Sequence, residues 1–340
     1  MRTFKTSSRP CSGIKLISHH EEKMKTNMTM KTQLKWGVRA GAVLTLATGV
    51  ILSGCGKKEE AGGGVSKPAA KAVSVQNIGS DTMVNLAQAW AEAYHAVDPT
   101  VSVEVSGGGS GVGVSALING TCDIANSSRA LEAEEQAKAT AKYGGKQPDE
   151  FLVGYDALAI YVHPSCPLNE ISVEQLSELF KEGGKINKWS DIGITIPGGQ
   201  DEIVRVSRQN NSGTYHYFRE HVVGKKNDFK KGSRDMSGSK DVVELVANTP
   251  GALGYSGLGY RTDKVKVVNV SKKTGDKAIV PSIETTLNNT YPIARPMFMY
   301  TPPGAPEHIV KYLKWLRSAP GQKIVVDSGY VPLAEKDQTK

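Results

Sequence analysis

From residue 73 onward the chain switches repeatedly between the period of a strand and the period of a helix. Val73 to Ile78 reads as a short strand that stops at Gly79-Ser80-Asp81-Thr82. Met83, Leu86, Ala87, Trp90 and Tyr94 then fall on one helical face. Val101, Val103 and Val105 alternate with polar residues as a second strand, which runs into the glycine-rich stretch 107–113 and a helix through Leu117 and Ile118. Cys122 to Ala125 predicts a third strand, ending at Asn126-Ser127-Ser128-Arg129; the helix after it carries Glu132, Glu134 and Glu135 in its opening turns. Phe151 to Val162 is an apolar strand that stops at His163-Pro164, a crossing into a second domain. There Ser172 begins a helix through Leu176, Leu179 and Phe180, Trp189 opens a loop, and Ile203 to Val206 is a strand leading to Arg208. Tyr215, Phe218 and Val222 follow as one helical face, with Asn211 or Ser212 as its N-cap. A helix over Val242 to Val246 precedes the glycine-rich strand GALGYSGLGY. Tyr291 to Tyr300 is the return crossing, and a helix with Ile309, Leu313 and Leu316 packs back on the first domain.

The unit strand, polar turn, helix therefore occurs four times, each with Ser or Thr at the C-terminal edge of a strand. In open α/β sheets that edge is where ligands bind. Exposed N–H groups and a partial positive charge at a helix start suit a small oxyanion, and Arg208 stands just before the fourth start. Gly213 lets a ligand approach the backbone closely. The glycine run 107–113 lacks the spacing of a dinucleotide fingerprint and the Gly-Lys-Ser/Thr end of a nucleotide loop. It leaves a backbone free to wrap an anion, with Ser110 at the helix start.

Charge changes the picture once it is divided along the chain. Lys and Arg total 42 against 34 Asp and Glu, but residues 1–54 hold nine of the basic and two of the acidic residues. The remainder, 33 basic against 32 acidic, carries no electrostatic argument for nucleic acid. Lys31, Lys35 and Arg39 form a basic region before the apolar run Ala40 to Leu52, which is short of the ~20 residues of a bilayer span and fits a secretory signal. It ends in Leu52-Ser53-Gly54-Cys55, which resembles a bacterial lipobox with Cys55 as the lipidated residue. Residues upstream of a normal signal place the expected start at Met28 or Met30, with Met24 also open. Residues 1–54 thus read as extension and lipoprotein signal peptide, and 55–72 as a flexible tether. A membrane-anchored globular body outside the cytoplasm, in the periplasm or at the cell surface, is the expectation. Cys122 and Cys166 remain in that body; an oxidising compartment permits a bridge without establishing one. No Cys/His spacing calls for a metal, and no cofactor is expected. Nor is enzyme chemistry: no Gly-x-Ser-x-Gly elbow occurs, and His216 lies four residues past Ser212 on one helix, a poor base geometry.

The order GSDTM, GGGSGVG, DIANSSR, RQNNSGT, GALGYS and YPIARP resembles the phosphate-binding proteins of bacterial phosphate ABC transporters, over residues 73–335. That resemblance implies an α/β, two-lobed periplasmic-binding-protein fold of type II, each lobe a mixed sheet flanked by helices. One lobe would hold 73–163 plus 292–340 and the other 164–291, with phosphate in the cleft. It also implies a monomer that hands inorganic phosphate to permease subunits and their ATPase, touching the membrane only through its lipid. The binding residues carried over are Thr82 with the Met83 amide, Ser110, Arg208, Ser212, Gly213 and Thr214, and Ser80, Asp81 and Ser128 join them as candidates. Many members have an aspartate where this chain has Ser128. A carboxylate there accepts the proton that phosphate carries and repels sulfate. Asp81 is either the substitute acceptor or a helix-capping aspartate; Arg129 either adds charge at the rim or pairs with an outer acid. Sulfate, molybdate, or a surface adhesin on the same fold are the alternatives.

Overall fold

The computed structural model describes residues 72–339. The signal, the lipidation residue Cys55 and nearly all of the tether lie outside the described residues. Among the described residues, no helix is long and apolar enough to cross a membrane.

β1 (Val73–Gly79) pairs in parallel with β2 (Val101–Ser106) and with β3 (Ile124–Ser127). α1 (Val84–Val97) and α2 (Ser110–Asn119) connect them. β3 begins two residues later than the apolar pattern suggests, at Ile124. The larger correction concerns the next helix, α3 (Ala133–Lys142). Its N-cap is Glu132, closed by a capping box with Glu135, so Ser128 does not open it.

The 14-residue β4 (Asp149–Val162) organises the rest. Its first half pairs antiparallel with β10 (Ala294–Thr301), which also pairs with β3. Its second half, Leu158 to Val162, lies between β8 (Ala252–Gly257) and β9 (Lys266–Ser271). The continuous apolar run Ala157–Val162 is buried throughout, as a strand covered on both faces requires. On the far side of β8 come β6 (Val204–Arg208) and then β7 (Arg234–Met236), all parallel, while the short β5 (Glu170–Ser172) adds to β9.

Helices cover both faces. Trp90 and Tyr94 of α1 pack with Ile309, Tyr312, Leu313 and Leu316 of α8 (Glu307–Leu316), at i, i+3, i+4 and i+7, over the β1–β3–β10 sheet. The sequence pattern did not resolve α9 (Ala319–Asp327), whose Gly321 carbonyl accepts from the Trp90 indole at 2.8 Å. Around the β6–β8–β9 sheet, α4 (Val173–Phe180) and α5 (Gly213–Phe218) close one core. α6 (Ser239–Ala247) closes the other, and α7 (Ile283–Leu287) precedes the return strand. Ser172 caps α4, its hydroxyl accepting from the Gln175 amide at 3.0 Å. Trp189 is buried at the head of a 3-10 turn instead of a loop, its indole donating to the Gly251 carbonyl.

Candidate oxyanion site

Because β1, β2 and β3 run parallel, and β6, β7 and β8 likewise, their C-terminal ends present six turns. The turns after β1 and β2 meet the turn after β6. The Gly111 amide donates to the Asn211 carbonyl at 3.1 Å, and the Asn211 side chain donates to the Gly108 carbonyl at 2.9 Å. Gly109, at φ 96°, holds a left-handed conformation, and a Cβ on it would stand 2.6 Å from the Asn211 carbonyl.

At the centre the Thr82 and Thr214 hydroxyls lie 2.9 Å apart, one from each sheet. Beside them are three buried serines: Ser80 donates to Ser128 at 2.9 Å, and Ser110 lies 3.4 Å from Ser128. Gly213 faces this group, and its backbone comes so close that a Cβ would sit 2.2 Å from the Ser110 Oγ. Ser212 is the N-cap of α5, its hydroxyl accepting from the Thr214 and Tyr215 amides. Of the two candidate caps, Asn211 instead bridges to the glycine turn.

Arg208 is 1% exposed at the end of β6. It donates through Nη1 to Ser239 at 2.9 Å, and through Nη2 to the Ser237 carbonyl at 2.7 Å and to Asp81 at 2.9 Å. Burial pulls its pKa below the ordinary arginine value, against the opposing pull of Asp81. Arginine's ordinary value is so high that it stays charged.

The structure thus brings Ser80, Thr82, Ser110, Ser128, Gly213 and Thr214 together, with Asp81 and Arg208 adjoining. Two expectations meet a different geometry. The Met83 amide donates to the Ser80 carbonyl at 2.9 Å and its side chain fills the core, so that amide is engaged in its own turn. Asp81 is no free acceptor, since Oδ2 takes Arg208 and Oδ1 takes the Gly108 amide at 3.0 Å. Arg129 forks onto Glu135 at 2.7 Å through both terminal nitrogens, the outer-acid alternative.

Sequence reasoning missed Asp156 and Arg295. They face each other across β4 and β10, and the Arg295 Nη2 reaches Asp156 at 2.8 Å, Thr82 at 3.1 Å and Thr214 at 3.0 Å. Their signal is one lone acid in FLVGYDALAIYV and one lone base in YPIARPMFMY. Burial raises the Asp156 carboxyl above the usual range, with the Arg295 charge opposing. Ser239, missed as an Arg208 partner, lies in a Ser-Gly-Ser-Lys run and its hydroxyl accepts from the Arg208 guanidinium. Two tyrosines pin the first turn: Tyr260 donates to the Asp81 carbonyl and Tyr330 to the Thr82 carbonyl.

A pocket of about 410 Å³ opens at the rim of this site, lined by Gly111, Arg129, Glu132, Asn211 and His216 among others. A larger one, about 500 Å³, lies by Ser172 and Thr274; no Lys or Arg lines it and Glu170 and Asp276 do, so it suits an oxyanion poorly.

This geometry has known relatives. The PBP superfamily domain matches residues 65–320. The chain belongs to that superfamily. Within it, the chain is a member of the family of the phosphate-binding proteins. It is 34% identical over 273 residues to the phosphate-binding protein PstS of Pseudomonas aeruginosa, covering 77% of this chain and 84% of that protein. To the phosphate-binding protein PstS of Bacillus subtilis it is 30% identical, covering 77% and 81%. A Clostridium perfringens structure with bound phosphate, described as a phosphate ABC transporter substrate-binding protein, matches with a TM-score of 0.68 at 28% identity, covering 77% of this chain and all of that one. The expected type II periplasmic-binding-protein fold is borne out. Cys122 and Cys166 are free and buried, and burial pushes the Cys122 thiol up to about 12.

Proposed function

We propose that this protein is an extracytoplasmic receptor for inorganic phosphate that delivers it to an ABC importer, binding its ligand without transforming it. The observation that carries this reading is the convergence of Thr82, Ser110 and Ser128 from one sheet with Arg208, Gly213 and Thr214 from the other. A small oxyanion asks for many directed donors, not a large apolar pocket. Hydrogen bonds to a charged group contribute ~1.5–3 kcal/mol each, so several of them support micromolar affinity or better, ~−8 kcal/mol, after ordering and desolvation. The family relatives named for phosphate support the choice of ligand.

In this reading the anion rests on the hydroxyls of Thr82, Thr214, Ser110 and Ser128 and on the backbone at Gly213, with Ser80 bracing Ser128 and Arg208 alongside. Ser212 shapes the helix start, and Met83 anchors the first turn in the core. Asp81 acts through Arg208, holding its fork. Residues 73–163 plus 292–340 form one lobe and 164–291 the other, joined by the crossings at β4 and β10. Because the donors come from both lobes, the anion favours the closed arrangement through its differential contacts. A monomer anchored by a lipid on Cys55 would present the closed lobes to the permease and its ATPase. The test is uptake of labelled phosphate at low concentration by cells lacking the gene and by cells carrying Arg208→Ala or Cys55→Ala. Loss of uptake without the gene and in Arg208→Ala, and release of Cys55→Ala from the membrane fraction, support the reading. Unchanged uptake without the gene contradicts it.

A further inference from the structure

We infer that Arg295 is a second arginine of the oxyanion site, donating to the bound anion through Nη1, with Asp156 holding its guanidinium in position. The inference rests on the oxyanion reading above and adds to it a donor that the sequence reading did not assign to the site.

Both side chains are buried, Arg295 to 1% and Asp156 to 0% exposure. A buried ion pair that served only the core would be expected to align both carboxylate oxygens with the guanidinium fork. Here the Nε and Nη2 both converge on one oxygen, Oδ2, at 3.0 and 2.8 Å, while Oδ1 accepts from the Leu258 amide at 3.1 Å. The tip of the guanidinium is thereby turned toward the two threonines, and Nη2 bonds both. One side chain touches the centre of the site from both sheets at once.

Nη1 completes the case. It is buried and has no protein partner. A buried donor left unmade is costly, and arginine offers only donors, so the group calls for an acceptor from outside the fold. The Tyr217 ring, its centroid 5.7 Å from the guanidinium carbon, braces the face of the group and leaves the in-plane N–H groups free.

Arg295 also sets the direction of the threonine hydroxyls. Because Nη2 can only donate, Thr82 and Thr214 must accept from it. Of the two O–H groups, one can serve the other threonine; at least one is left to donate elsewhere. The guanidinium so makes an arginine donor and a hydroxyl donor available side by side, an arrangement suited to two oxygens of one tetrahedral anion.

The experiment titrates the full-length protein, freed of anion, with inorganic phosphate, comparing wild type with Arg295→Lys and with the double variant Arg295→Met, Asp156→Leu. The double variant replaces the pair by apolar groups, so no buried charge is left alone. Thermal unfolding without phosphate establishes that each is folded. The expected result is affinity about 10- to 100-fold weaker in both, equivalent to about 1.4 to 2.8 kcal/mol. Wild-type affinity in a folded variant overturns the inference while leaving the phosphate reading intact. If wild type binds sulfate or molybdate in place of phosphate, the phosphate reading fails, and the same variants titrated with that anion decide the role of Arg295. If wild type binds no oxyanion, both fall. Should neither variant fold, a crystal structure of the wild-type phosphate complex decides: a phosphate oxygen within ~3.2 Å of Nη1 supports the inference, and one beyond ~4 Å overturns it.

Discussion

Gly213→Ala tests whether the two sheets must meet at the serine cluster for the anion to be held. A methyl group at this position would stand 2.2 Å from Ser110 Oγ, 2.7 Å from Ser128 Oγ and 2.9 Å from Ser110 Cβ. Ordinary contact begins at 3.4 Å, so the worst overlap is about 1.2 Å. Rotating one hydroxyl cannot relieve it, because Ser110 Cβ is itself too close. The start of α5 must withdraw from α2 and the turn after β3 by about an ångström. Overpacking of this kind costs ~1–3 kcal/mol. If it arises only when the sheets close, affinity falls about 5- to 150-fold. Locally, alanine favours the helix over glycine by up to ~1 kcal/mol. The anion-free protein should therefore unfold at a temperature close to wild type, while the upward shift that phosphate gives to wild type shrinks in the variant. Titration calorimetry and thermal unfolding, each with and without phosphate, measure the two quantities. Binding within twofold of wild type would refute the idea that this close approach is part of the bound state.

Two further outcomes follow from the ion pairs. In Asp81→Asn the Arg208 fork loses its counter-ion but keeps an oxygen acceptor, so phosphate affinity should change by less than about tenfold and the preference over sulfate should persist. A collapse of that preference in competition titration would make Asp81 the acceptor of the phosphate proton after all. Burial pushes the Glu135 carboxyl up, but the Arg129 fork, together with the Glu132 amide, outweighs it and leaves the carboxyl below its usual range. A depressed carboxyl stabilises the fold above its unfolded value and loses that contribution as pH falls through the folded one. The melting temperature should thus drop from pH 5 toward pH 3, with a shallower drop in Glu135→Gln. An equal drop in both would assign acid sensitivity elsewhere.

Local patterns carried much of this fold. Period-2 and period-3.6 runs with Ser, Thr and Gly between them located most strands and helices, and Ser172 and Ser212 cap as small hydroxyls do. The misses are tertiary. β9 has partners, β4 and β5, that are far away in sequence, and α3 is capped at Glu132 through its box with Glu135 instead of at a serine. In the site, the motif residues were legible because each stands at a strand end next to a turn. Asp156 and Arg295 were not, because a lone charge in an apolar strand gives no sign of its partner. Only the β4–β10 register, which joins residues 139 apart, places them together. The engagement of both Asp81 oxygens is equally invisible to spacing.

The most direct measurement is calorimetric titration of the purified, anion-stripped protein with phosphate, alone and in excess sulfate, beside Arg208→Ala. Phosphate binding at this site requires one phosphate bound per chain at micromolar affinity or tighter, little competition from sulfate, and loss of the heat in Arg208→Ala. Equal competition by sulfate, or full binding by Arg208→Ala, would contradict it.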